Sequence, residues 1–265
     1  MDQVKQVKED LSGSRRSTFS RERLRAWVAH FLTLSGLIWA ALAMHALQSG
    51  YVKTMWLYLV LALITDAADG PLARRFEVSQ YAAQFDGSIA DMVIDYLTWT
   101  FIPAYFLFSY GYLGGGPMRM ALFVLILVSS VFCYANVSMK TEELYFAGFP
   151  AAWNLVALYF YLLHSPVWLN VMVTVFLSAI TVVPITFLHP FRVRRLRVAN
   201  VSATVLWLAA TVFLVVVSPS MPTLVAVVWW TSAAWIIASG LWGGMKGLRQ
   251  SRQSIESEAA TVDLL

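Results

Sequence analysis

Charge is what this chain has least of. Only 13% of its 265 residues are Asp, Glu, Lys or Arg, about half the share that soluble domains carry. Such a chain cannot cover itself with a water-exposed surface, which excludes an ordinary soluble fold. Cysteine is nearly missing as well. Cys133 stands alone, so an internal disulfide is excluded. The opening residues, MDQVKQVKEDLSGSRRS, have no apolar core, which argues against a cleavable leader. Internal repeats and low-complexity tracts are also missing, and with them any repeat architecture.

Apolar residues fill the space that charge leaves. They make up 59% of the chain, in runs near the 20 or so residues that cross a bilayer. The pattern predicts an all-α, polytopic membrane protein of about eight helices. Their approximate spans are 26–48, 53–72, 87–110, 118–138, 148–164, 167–188, 200–218 and 222–245. Residues 1–25 read as a cytosolic tail ending in a basic amphipathic turn on the membrane surface. Residues 26–245 form the membrane domain, and residues 246–265 a polar cytosolic tail.

The net charge of +4 does not mark a nucleic-acid partner, because the basic residues flank apolar spans. They serve instead as topology signals. With the N-terminus inside and eight crossings, all but two of the 19 Lys and Arg fall on the cytosolic side. The exceptions are Lys53 and Arg119. Both termini are therefore expected in the cytosol.

One stretch breaks the membrane pattern: TDAADGPLARRFEVSQYAAQFDGSIADMVID, residues 65–95. Asp66 and Asp69 sit near the end of the second helix, Asp91 and Asp95 near the start of the third. Helix positions three or four apart share a face, so these acids form two pairs. The connection makes the two helices antiparallel neighbours, and the pairs converge near the cytosolic edge. One ionised Asp within a membrane costs roughly 2.5–3.5 kcal/mol. Four cost on the order of 10 kcal/mol, comparable to a domain's whole net stability. Something positive must sit among them. Hard oxygen ligands on facing helices suit Mg²⁺ or Mn²⁺, and two such ions would bridge a diphosphate. Gly70, Ala73 and Gly87 leave room for that ligand, with Gly70–Pro71 expected to interrupt the second helix. Asp86, just before Gly87, reads better as a helix N-cap.

The pattern D-x2-D-G-x2-A-R … G-x3-D-x3-D resembles the signature of the CDP-alcohol phosphatidyltransferases. It is carried here by Asp66, Asp69, Gly70, Ala73, Arg74, Gly87, Asp91 and Asp95. The spacer from Arg75 to Asp86 is twelve residues, longer than in most of the family, and is similar to the bacterial branch that uses choline. DYLTWTFIPAYF, GFPAAWN at 148–154 and HPFRVRRLR at 189–197 are similar to that branch too. The resemblance spans about residues 25 to 245. It implies an enzyme of the bacterial inner membrane, with its active site at the cytosolic face. The implied reaction joins CDP-diacylglycerol and choline into phosphatidylcholine and CMP, with Mn²⁺ or Mg²⁺ as cofactor.

By position, the resemblance implies Asp66, Asp69 and Asp91 as main metal ligands. Asp95 would touch a second ion and act as general base. Gly70, Ala73, Arg74 and Gly87 would hold the CDP part. His30 and Thr33 fall where many relatives have Asn and Thr contacting the nucleotide, so His replaces Asn. Relatives are commonly homodimers. Arg192–Arg197 reads as a topology anchor, or else as a lipid phosphate contact.

Choline is a quaternary ammonium and is usually held by aromatic faces. Tyr96, Trp153 and Glu142 are the expected choline contacts. Two other readings compete. One is a related transferase with a glycerol phosphate, inositol phosphate or serine acceptor. The other is a cation transporter. Acids at helix ends and the lack of repeated halves disfavour the transporter.

Overall fold

The computed structural model describes residues 2–135, 145–147, 149–182, 186–188 and 197–239. The chain divides into two compact units, Met1–Ile102 and Pro103–Leu265.

The first unit begins with α1, Asp2–Gln48. Residues 2–25 continue the same helix as the span behind them; the apolar part starts at Arg21. One stripe of α1 is buried and small: Ala26, Ala29, Gly36, Ala40 and Ala43, with His30 among them. Small residues let helix backbones approach closely, as helices in lipid require. The other face exposes Phe31, Leu37 and Ile38. Exposed apolar side chains are a liability in water and cost nothing in hydrocarbon.

Helix α2, Val52–Arg75, packs on α1 with Met55, Trp56, Leu59, Ala62, Thr65 and Asp69 buried. The indole N–H of Trp39 donates to Thr65 Oγ1 at 3.1 Å, and that hydroxyl donates to the Leu61 carbonyl at 2.9 Å. Pro71 does not interrupt this helix, contrary to the sequence reading. The helix runs on to Arg75 and closes with Phe76 N–H donating to the Leu72 carbonyl at 2.9 Å. The clash that Pro imposes on the preceding residue acts partly through its Cβ, and Gly70 has none.

The spacer folds into a short helix, α3 (Val78–Tyr81), entered through Glu77 at φ 46° and packed against α1. Helix α4, Gly87–Asp95, follows. The next six residues, Tyr96–Phe101, form a π-helix rather than the α-helix the periodicity predicts. The Thr98 hydroxyl donates to the Ile94 carbonyl at 3.0 Å, the kind of back-bonding that loosens a helical ladder. Helix α5, Ile102–Ser109, completes an apolar span from Gly87 to Ser109.

The second unit holds α6 (Gly116–Ala135), α7 (Trp153–Leu163), α8 (Val167–Val182), α9 (Arg197–Val217) and α10 (Thr223–Ser239). Helices α6 and α8 pack together. The buried Asn170 side chain donates to the Tyr112 carbonyl at 3.1 Å and accepts from the Ser165 hydroxyl at 2.6 Å. Tyr159 stacks on Trp229 at 4.4 Å, and Trp235 donates to Asn200 Oδ1, joining α10 to α9. A two-stranded antiparallel ladder, β1 (Tyr145–Ala147) with β2 (Thr186–Leu188), departs from the purely helical expectation. Of the predicted helix 167–188, Val167–Val182 is helical, while Thr186–Leu188 forms strand β2.

Among the described residues, five helices are long and apolar enough to cross a membrane: Arg21–Gln48, Val52–Arg75, Gly87–Ser109, Gly116–Ala135 and Val198–Val217. Three shorter apolar helices, Trp153–Leu163, Val167–Thr181 and Thr223–Ser239, stand at the remaining expected positions. The chain is a multi-pass membrane protein.

Candidate active site

The first unit brings α1, α2 and α4 together around the acids. Carboxylate oxygens of Asp66, Asp91 and Asp95 lie within 4.8 Å of one another. One Asp95 oxygen is buried with no hydrogen-bond partner among the described residues. At that separation each ionised pair repels by about 3 kcal/mol for an effective dielectric of about 20. No acid of this group pairs with a cation among the described residues.

The donor set fits a divalent cation. Ligands around an ion with oxygens at about 2.1 Å stand roughly 3–4 Å apart, so an inward shift of less than about 1 Å closes the set. A narrow crevice runs between the helices, lined by Thr33, Gly36, Thr65, Asp69, Thr98 and the three clustered acids, among others. Its volume is about 10 Å³, the size of one water or one bare ion. Asp69 is buried and borders the crevice, although it is not one of the three converging carboxylates.

Thr33, Asp69 and Asp91 also border a wider cavity of about 500 Å³, within the range of small-molecule sites. His30, Thr33, Gly70, Ala73, Arg74 and Gly87, the six residues expected to hold a nucleotide, all line it. Arg74 folds back along α2 toward Gly70, with Nη1 3.5 Å from where a Gly70 Cβ would stand. His30 is buried, and its Nε2 has no partner among the described residues. Its ring meets Phe85 edge-on at 4.6 Å and Trp27 at 5.6 Å. Gly87 makes that position possible: a Cβ there would sit 3.0–3.1 Å from the imidazole.

Asp86 is the N-cap of α4. Its Oδ1 accepts from Ser88 N–H at 3.0 Å, Ile89 N–H at 3.2 Å and the Ser88 hydroxyl at 2.6 Å. The Ser88 hydroxyl, followed by the backbone amides, holds its pKa below the ordinary carboxylate value.

The sequence reading missed the wall made by the spacer. Val78, Ser79, Ala83 and Phe85 close one side of the cavity. The unusual spacer length was the available signal, but it carries no side-chain direction. Thr98 and Gly36 were also missed, being ordinary residues in apolar helices. Of the expected choline contacts, Tyr96 opens the π-helical turn in the first unit. Trp153 is fully buried in the second, with Phe149 edge-on at 5.5 Å. Glu142 lies outside the described residues, as do Arg192, Arg194 and Arg195 and the side chain of Arg197.

The chain is also similar to known proteins. The model of the family described as CDP-alcohol phosphatidyltransferase matches residues 26–187. A protein of Pseudomonas aeruginosa named phosphatidylcholine synthase is 43% identical over 220 residues, covering 83% of this chain and 92% of its own. Proteins of the same name from Mesorhizobium japonicum and Brucella melitensis are 40% and 36% identical. The first covers 70% of this chain and 69% of its own, the second 77% and 74%.

Proposed function

The chain belongs to the CDP-alcohol phosphatidyltransferase family, and from that premise we propose that it transfers the phosphatidyl group of CDP-diacylglycerol to choline, giving phosphatidylcholine and CMP. The observation that carries this reading is a juxtaposition: three converging carboxylates beside a cavity lined by all six expected nucleotide contacts. The names of the relatives favour choline as the acceptor.

Each residue has a task in this reading. Arg74 offers a fixed positive fork to the diphosphate. Gly70, Ala73 and Gly87 keep the cavity wall low enough for the nucleotide to lie against backbone. His30 and Thr33 present polar edges to it from α1. Asp66, Asp69, Asp91 and Asp95 hold Mn²⁺ or Mg²⁺, with two ions as the expected number. An ion held there would supply positive charge against the diphosphate and the leaving CMP. Asp95 takes the proton from the choline hydroxyl, because a neutral alcohol is a poor nucleophile without a base in hydrogen-bond reach. One in-line displacement completes the transfer without a covalent enzyme intermediate.

Tyr96, Trp153 and Glu142 are proposed to hold the quaternary ammonium. Replacing each by Ala should raise the KM for choline; an unchanged KM removes that residue. We place both termini and the active site on the cytosolic side of the inner membrane, with eight crossings, an N-terminal amphipathic segment and a homodimeric assembly. A panel of acceptors tests the reading. Purified protein with CDP-diacylglycerol and Mn²⁺ should release CMP with choline. Release with glycerol phosphate, inositol phosphate or serine, and not with choline, would move the chain to another branch.

A further inference from the structure

Helix α1 contributes no carboxylate to the cluster, yet it touches both helices that do. The Trp39 indole fastens it to Thr65, next to Asp66, at 3.1 Å. One turn earlier, Gly36 meets Ile94, next to Asp95. A Cβ on Gly36 would stand 2.6 Å from Ile94 Cγ2, while the Ile94 Cβ and Cδ1 would be 3.9 Å away. The conflict thus involves one methyl group. Gly36 and Ile94 are both buried, and both line the crevice that holds Asp66, Asp91 and Asp95. We propose that Gly36 is a positioning residue, whose missing side chain fixes how closely α4 approaches α2 and therefore the spacing of the three carboxylates. The inference rests on the proposed role of that cluster.

The geometry leaves little slack. Ile is β-branched, and in a helix it is held to one strongly preferred χ1 rotamer. The γ-methyl cannot swing away, so the backbone must yield. Reaching ordinary van der Waals contact at 3.4 Å requires a retreat of about 0.8 Å from 2.6 Å. That distance matters here, because Asp95 directly follows Ile94 on the displaced helix and Asp91 lies one turn before it. A misplacement near 1 Å costs about a hundredfold in turnover when reacting groups must be aligned. The Trp39–Thr65 bond keeps α1 and α2 in register at Asp66, so the retreat opens the distance between helices rather than moving the three together.

The test uses the full-length protein in detergent. Mn²⁺ affinity is read from the free-ion electron paramagnetic resonance signal of the monodisperse fraction, and kcat and KM for CDP-diacylglycerol are measured in parallel. Gly36→Ala should weaken Mn²⁺ binding about tenfold and lower kcat about a hundredfold, with KM changed less than kcat. Ile94→Ala removes the conflicting methyl, so Gly36→Ala/Ile94→Ala should bind Mn²⁺ more tightly than Ile94→Ala and recover at least tenfold in kcat over Gly36→Ala. Wild-type affinity and kcat in Gly36→Ala would overturn the proposal. So would a double variant that binds more weakly than Ile94→Ala, a comparison that decides even if Gly36→Ala alone does not fold. Asp95→Asn serves as the control. If that variant keeps full turnover, the cluster reading fails; if it is inactive while Gly36→Ala behaves as wild type, only the positioning role fails.

Discussion

Replacing Asp95 with Asn should make the metal-free protein more stable and the enzyme nearly inactive. The two side chains have the same shape, so packing is conserved. What disappears is one negative charge within 4.8 Å of Asp66 and Asp91 oxygens. Two repulsive pairs of about 3 kcal/mol each set an upper bound near 6 kcal/mol. Water reaching the acids screens this to about 1–3 kcal/mol, or roughly 2–12 °C in melting temperature for a protein of this size. The measurement belongs in chelator at about pH 9, where carboxylates are ionised. Mn²⁺ should then reverse the order. A cation at a hundred times its Kd stabilises the parent by about 2.7 kcal/mol, and the variant, lacking one anionic ligand, gains less. Loss of the proposed base should lower kcat by about 10²–10⁴. Thermal melting with chelator and with Mn²⁺, together with CMP release, reads all three effects. A variant no more stable than the parent in chelator, or one that turns over normally, refutes the reasoning.

Three further outcomes follow from the site. Gly87→Ala places a methyl 3.0–3.1 Å from a His30 ring already backed by Phe85, and should raise the KM for CDP-diacylglycerol about tenfold, near the lower end of the usual overpacking cost. Arg74→Ala removes a charged partner worth about 1.5–3 kcal/mol; KM for the same substrate should rise roughly 10- to 150-fold, with Arg74→Lys recovering only part. Asp86→Ala removes the α4 cap and should lower the melting temperature above pH 5. Because the folded-state pKa of Asp86 is depressed, its contribution is present above the ordinary carboxylate pKa and is lost as pH falls through the folded value. The difference between variant and parent should therefore shrink in acid.

The acids and glycines of the motif were legible in the sequence because lipid makes each of them expensive or conspicuous. Asp66, Asp69, Asp91 and Asp95 have no cheap place in an apolar helix, so their spacing alone predicted a shared face. Asp86 before Gly87 was readable as a cap from residue type and position. Two errors came from local rules that tertiary context outweighed. Pro71 breaks helices in general, but Gly70 before it removes a clash, and only one further turn had to form. The π-helical turn Tyr96–Phe101 shares the composition of an α-helix, and periodicity does not separate the two. Gly36 and Ser79 were invisible for a different reason. Their importance lies in what stands opposite them, Ile94 in one case and the cavity in the other.

The cluster beside the cavity is proposed to make phosphatidylcholine. The direct measurement follows purified protein with CDP-diacylglycerol and labelled choline, with and without Mn²⁺, and quantifies CMP and labelled lipid together. CMP and phosphatidylcholine should form in equal amounts, both dependent on choline and on the metal. CMP release that ignores choline, or labelled lipid formed at full rate in chelator, would contradict it.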